Sequence, residues 1–155
     1  MKTTKIIALL LCVALVTGLM TACQKKVPQT PDGFTQIMEN TGLEVRDDTD
    51  TNDDDSTLTA ELCAISEGYM IEYYAYEDSN DAQNVFHSNY NSFDEEYPTK
   101  TLSTRVNTNR YNYFAFTSGG EFVVVARIEN TLVGCIADAE YKQEILTHME
   151  ALGYK

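Results

Sequence analysis

The sequence predicts an α+β fold, an antiparallel sheet of five or six strands with three helices packed mainly on one face. Three observations lead there. Short runs rich in β-branched, aromatic and aliphatic residues recur from Leu58 onward, the composition of half-buried strands. The turn signals between neighbouring runs, Glu67-Gly68, Gly119-Gly120 and Glu129-Asn130, are tight enough to make those runs antiparallel. Three other segments repeat their apolar residues at intervals of three and four, as helices with one buried face do.

Thr30 is placed to cap the first helix, with Pro31 at the first helical position, where a missing N–H costs nothing. Phe34, Ile37, Met38 and Thr41 share one face, and Gly42 supplies a left-handed stop. Leu43 to Val45 begins a strand, before "RDDTDTNDDDS" loses both periodicity and apolar content. "LTAELCAIS" and "GYMIEYYAY" then read as a hairpin. In its second strand Tyr69, Ile71, Tyr73 and Ala75 point one way, towards a core, and Met70, Glu72, Tyr74 and Tyr76 the other.

Asp78 or Ser79 caps the second helix, whose stripe is Ala82, Val85, Phe86, Asn89, Tyr90 and Phe93; Pro98 ends it. "TKTLSTRVNTNR" reads as a polar connection. "YNYFAFTS", "EFVVVARI" and "TLVGCIA" follow as a three-stranded meander. The third helix runs from Asp138 as cap to Leu152, with Tyr141, Ile145, Met149 and Leu152 on one stripe and Gly153 as its stop. The strand-strand-helix run from Ala64 echoes the one from Ala126, and "MENTGL" echoes "MEALGY". As a duplication, this would have each half give strands to one sheet and a helix to one face.

Ahead of these elements Lys2 and Lys5 precede an unbroken apolar run, Ile6 to Val16, the layout of an export signal. The run is shorter than the roughly 20 apolar residues that span a bilayer. Ordinary signal cleavage needs small residues one and three positions before the cut, and Met20 is too large for the second slot. Met20, Thr21, Ala22 and Cys23 instead resemble the lipobox of bacterial lipoproteins, in which a small residue precedes an obligatory cysteine. The resemblance covers residues 1 to 23. It implies a diacylglyceryl group on the Cys23 thiol, cleavage between Ala22 and Cys23, and attachment to the outer side of the cell membrane. Two acyl chains, at about 0.8 kcal/mol per buried methylene, hold such an anchor stably.

The chain therefore divides into a lipoprotein signal peptide (1–22), a lipid-attached tether (23–30) and one acidic α+β domain (31–155). Removing Lys2 and Lys5 leaves 9 of the 11 basic residues against 24 acidic ones, a formal charge of −15. Such a surface repels phosphate backbones, which excludes nucleic acid as a partner. Beyond Lys25 and Lys26 the acidic domain is expected to stand off from the bilayer.

No reactive constellation is legible, so no catalytic, cofactor-binding or metal-binding residue is assigned. Asp48, Asp50 and Asn52 have the alternating spacing of a calcium loop, but Asp53 replaces its glycine and Thr59 its terminal glutamate, which leaves a solvated acidic loop. His87 and His148 lie beside the apolar stripes of their helices with no ligand-spaced partner, as surface or boundary residues do. Ser66, Ser88 and Ser118 lack nucleophile-elbow surroundings, and Asp94, Glu95 and Glu96 end a helix in water. Tyr74 and Tyr76 share a strand face suited to sugars or peptides, although strand tyrosines also serve packing. Cys63 and Cys135 remain once Cys12 leaves with the signal; a disulfide is permitted outside the cytoplasm, but their apolar flanks suit two buried thiols better.

The reading that follows is a membrane-anchored extracytoplasmic lipoprotein whose domain is a non-enzymatic binding or interaction module, for an envelope protein, peptide or glycan. The alternative is a small envelope enzyme, a hydrolase with a dispersed active site. A concave pocket holding His87 or His148 beside a carboxylate and a hydroxyl would favour the enzyme, and an exposed tyrosine-rich sheet face would favour binding.

Overall fold

The structure, a computed structural model, describes residues 25–49 and 57–155, the Leu102 side chain apart. The expected signal peptide, the expected cleavage and lipid site at Ala22 and Cys23, and Asp50, Asn52 and Asp53 of the acidic run lie outside the described residues. Helix α1 is Pro31–Asn40, and the Thr30 hydroxyl accepts from the Gly33 N–H as its cap. At its other end Gly42 takes φ 89°, and the Leu43 and Gly42 N–H groups return to the Met38 and Glu39 carbonyls. This is a Schellman closure, and it needs a residue tolerant of positive φ.

Seven strands follow among the described residues: β1 (Glu44–Asp47), β2 (Leu58–Ile65), β3 (Met70–Tyr76), β4 (Thr101–Asn107), β5 (Tyr111–Ser118), β6 (Glu121–Ile128) and β7 (Thr131–Asp138). They form one antiparallel sheet in the order β1-β2-β3-β7-β6-β5-β4. Helix α2 (Ser79–Glu96) follows β3, capped by Asp78, whose carboxylate accepts from Asn80 and Asp81. A 3₁₀ turn (Ala139–Tyr141) leads into α3 (Lys142–Ala151).

The strand number corrects the expected five or six. The addition is β4, in the stretch that reads as a polar connection: it is an edge strand whose other side chains, Leu102 apart, are all exposed, so no apolar alternation announces it. Thr101, Thr104 and Val106 supply its β-branched content.

Helix placement follows the expectation for two of the three helices, which share one face, and departs from it for α2. Phe34 and Met38 of α1 and Ile145 and Met149 of α3 pack with Leu62, Ile71, Tyr73, Val124 and Val133 on one face of the sheet. Ala82 and Phe86 of α2 pack with Phe114, Phe116, Val123, Val125 and Leu132 on the other. Apolar periodicity tells which side of a helix is buried, not which face of a sheet it meets. The same result limits the internal echo. A two-fold normal to the sheet would carry β2–β3 onto β6–β7 across the β3–β7 pair, but would keep α2 and α3 on one face. "MENTGL" and "MEALGY" have a local cause: Gly153 takes φ 81° and Tyr154 and Gly153 return to Met149 and Glu150, the closure that ends α1. Asp138, expected to cap α3, makes no side-chain cap bond, because the 3₁₀ turn separates it from the α-helix.

Candidate functional site

Strand alternation puts one row of residues across the sheet on the α2 face: Arg46, Cys63, Glu72, Gly134, Val125, Phe114 and Arg105, each opposite the next in register. Aromatic contacts seat α2 over the β5 end of that row, with Phe86, Tyr90 and Phe93 each against Phe114. In the middle of the row Gly134 provides no side chain. The result is a groove of about 330 Å³, floored by Val125, Leu132 and Gly134 and walled by Val85, Asn89 and Phe93 of α2. Glu72, Tyr74, Tyr76, Cys135 and Ile136 complete it, and Ile136 is 49% exposed.

Gly134 is informative because glycine weakens a strand interior, and a central one marks close approach by another group. A Cβ at this position would meet the Val124 carbonyl and the Val125 side chain at 3.6 Å, ordinary contact distances. Packing therefore does not demand glycine, and the missing side chain leaves the groove deeper at this point. Glu72 is the charged group of the groove. Burial, reinforced by the nearby Glu61 charge, pushes its carboxyl above the usual range, and a hydrogen bond with Tyr74 opposes the shift. A half-buried carboxylate beside apolar and aromatic walls suits an amphipathic ligand whose basic or hydrogen-bond-donating end meets Glu72.

The wall is fixed by Arg127, a residue the sequence reading passes over. Its side chain is 0% exposed, yet none of its hydrogen-bond acceptors is a carboxylate. Nε donates to Asn112 Oδ1 (2.6 Å), Nη1 to Ser79 Oγ (2.9 Å) and the Glu129 carbonyl (2.5 Å), and Nη2 to the Asn109 carbonyl (2.8 Å). Ser79 is the first residue of α2, so this guanidinium ties the helix start to the β4–β5 and β6–β7 turns. Its one visible signal in the sequence is a lone basic residue inside the apolar run "EFVVVARI".

Tyr74 and Tyr76, singled out by their shared strand face, do line the groove. His87 is half-buried on α2, its ring edge-on to Phe86. His148, expected at the surface or boundary, is instead buried. It stands 2.9 Å through Nε2 from the Tyr69 hydroxyl, which donates to Glu144 at 2.8 Å. A hydroxyl with one proton can satisfy both contacts only if Nε2–H donates to it, which leaves Nδ1 as an acceptor. That Nδ1 is buried and has no hydrogen-bond partner among the described residues. Burial lowers the His148 pKa against the raising effect of Glu144, and raises that of Tyr69. The trio thus combines a histidine, a carboxylate and a hydroxyl, but it ties the turn before β3 to α3, with Glu144 at the surface, and does not line the groove beneath α2.

Of the remaining candidates Cys135 lines the groove, and the others stay apart from it. Ser66 and Ser88 do not meet a histidine in the described hydrogen bonds, and Ser118 donates to the Thr99 carbonyl. Asp94, Glu95 and Glu96 are exposed. Asp48 is held by Arg46, Nε to Oδ1 at 2.7 Å, and no metal-ligating cluster occurs among the described residues. Cys63 and Cys135 are unbridged and buried. They lie on β2 and β7, with β3 between, and point to opposite faces; burial pushes both thiols up to about 12. Comparison with protein-family models, curated proteins and solved structures returns no match.

Proposed function

We propose that the chain is a lipid-anchored extracytoplasmic lipoprotein whose domain is a non-enzymatic binding module, taking an amphipathic ligand in the groove beneath α2. The observation that carries the binding reading is the groove: an open apolar trough with a glycine floor and one half-buried carboxyl. Its tyrosines and Phe93 suit the apolar body of a peptide, of an envelope protein segment or of a glycan ring, and Glu72 suits a basic or donor group on it. The anchor rests on the lipobox-like residues Met20 to Cys23. No helix among the described residues is long and apolar enough to cross a membrane.

Two variants test the two parts. Cys23→Ser should release the protein from the membrane fraction or leave uncleaved precursor; fractionation and migration like wild type would sink the anchor. Gly134→Leu fills the groove from its floor without backbone strain. Capture from the native membrane with wild-type and Gly134→Leu protein, read by mass spectrometry, should show a ligand lost only in the variant. Identical captures from a variant of wild-type stability would remove the groove from the function.

A further inference from the structure

We infer that the surface formed by Lys26, Val106, Tyr111, Lys142 and Lys155 rests on anionic lipid headgroups of the membrane that holds the chain. The inference rests on the Cys23 anchor proposed above. Its first support is that the expected tether is docked. Lys26 Nζ donates to the Lys155 carbonyl (2.7 Å) and the Gly153 carbonyl (3.0 Å). Gln29 Nε2 donates to the Leu152 carbonyl (3.1 Å), and the Tyr73 hydroxyl to the Gln29 carbonyl (2.8 Å). The chain is thus tied to the domain from Lys26 on. Lys26 stands three positions after Cys23, a span of at most about 11 Å when fully extended. A domain held that close to its lipid does not stand off, and the side bearing Lys26 meets the headgroups.

The lysines around the groove on that side match such a partner, while α1, α3 and the turn before α3 on the same face also expose Asp32, Glu39, Glu140, Glu144 and Glu150. Of the basic residues after Cys23, Arg46, Lys100 and Arg110 pair with Asp48, Asp94 and Glu129, and Arg127 is buried. Arg105 stacks on Tyr90. Lys25, Lys26, Lys142 and Lys155 remain, four of nine cations in a segment of formal charge −15, with Lys142 Nζ lying 5.3 Å from the centre of the Phe122 ring. Lys26 lies over the Tyr111 ring, and Tyr111, Lys142 and Lys155 line one shallow groove of about 310 Å³. The single acidic ion-pair contact recorded for this set is Glu150, 4.0 Å from Lys155. Val106, in the same groove, is 37% exposed, and Val27, beside Lys26, is 62% exposed.

Lysines around a partly exposed apolar and tyrosine surface are the composition of an interfacial contact, and each lysine near an anionic surface is worth roughly fivefold in partition. Lys142 and Lys155 line a groove on the α1 and α3 face of the sheet, so the α2 groove opens on the side away from the membrane.

The test uses the full acylated protein in phosphatidylcholine vesicles with and without phosphatidylglycerol. A fluorophore goes on Val106→Cys or, for the α2 side, on Glu95→Cys, and a headgroup nitroxide lipid quenches it. Mass spectrometry of Cys23 reads the anchor separately. In anionic vesicles, quenching at 106 should exceed that at 95 at least about twofold. It should fall in Lys142→Glu/Lys155→Glu, and in wild type as salt shortens the range of charge interactions. Equal quenching at the two sites in acylated protein overturns the orientation alone. Quenching at 106 that ignores phosphatidylglycerol, salt and charge reversal overturns the anionic partner. An unacylated Cys23 overturns the anchor and the orientation together.

Discussion

Replacing Arg127 by methionine keeps the buried aliphatic stem and removes the guanidinium, which isolates what the polar head contributes. Four donor-acceptor contacts at 2.9 Å or less disappear, to Asn112, Ser79, Glu129 and Asn109. Hydrogen bonds from a charged donor contribute about 1.5–3 kcal/mol each, and a buried acceptor left unpaired costs about 1–3 kcal/mol. Asn112 is 0% exposed, so its Oδ1 is such an acceptor; the carbonyls in the flanking turns can turn to water. Against these losses stands the relief of a buried cation, whose pKa burial lowers and whose desolvation costs several kcal/mol. The balance is a destabilisation of about 2–4 kcal/mol. With a urea dependence of about 2 kcal/mol per molar, the unfolding midpoint should fall by roughly 1–2 M. Far-UV circular dichroism is the suitable probe, since the chain has no tryptophan. Asn112→Ala made in both backgrounds should show a coupling of about 1 kcal/mol or more. A midpoint within roughly 0.3 M of wild type, at unchanged slope, would refute the clamp.

Glu72→Gln should raise stability at pH 7 and leave it unchanged near pH 3.5. A carboxyl whose folded pKa is raised binds its proton more tightly in the folded state, so its burial penalty is absent below the unfolded value and grows as pH rises towards the folded one. Melting curves of both proteins at the two pH values read the difference, and destabilisation by the variant at pH 7 would count against a strained carboxyl. Cys63 and Cys135 should resist alkylation in the folded protein and take two alkyl groups once it is unfolded without reductant. Uptake only after reduction would mean a bridge that the register forbids.

Local chemistry made most elements legible. The Thr30 and Asp78 caps, the Gly42 and Gly153 stops and the bounds of β5, β6 and β7 follow from residues within a few positions of each element. His148 was within reach too: it stands three after Ile145 and four before Leu152, on the buried side, but its polarity hides it. The groove was not. Tyr74 and Tyr76 are visible as a strand face, whereas Glu72 becomes a site only because β3 pairs with β7 and sets Gly134 beside it. That register joins positions 62 apart, and neither strand's pattern encodes it.

The β3–β7 pairing also divides the sheet in time. Each flanking set, β1 to β3 and β4 to β7, is built from neighbours in sequence, while Glu72 with Gly134 closes the longest loop. Loop-closure entropy makes such a joint slow to form. The groove lies over that joint, with Tyr74 and Glu72 from one set and Leu132 and Gly134 from the other. A ligand lying across it works as a splint: its binding free energy adds to the weld between two hairpin assemblies. Occupancy would then register as slower hydrogen exchange along β3 and β7 before any change at the sheet's outer edges.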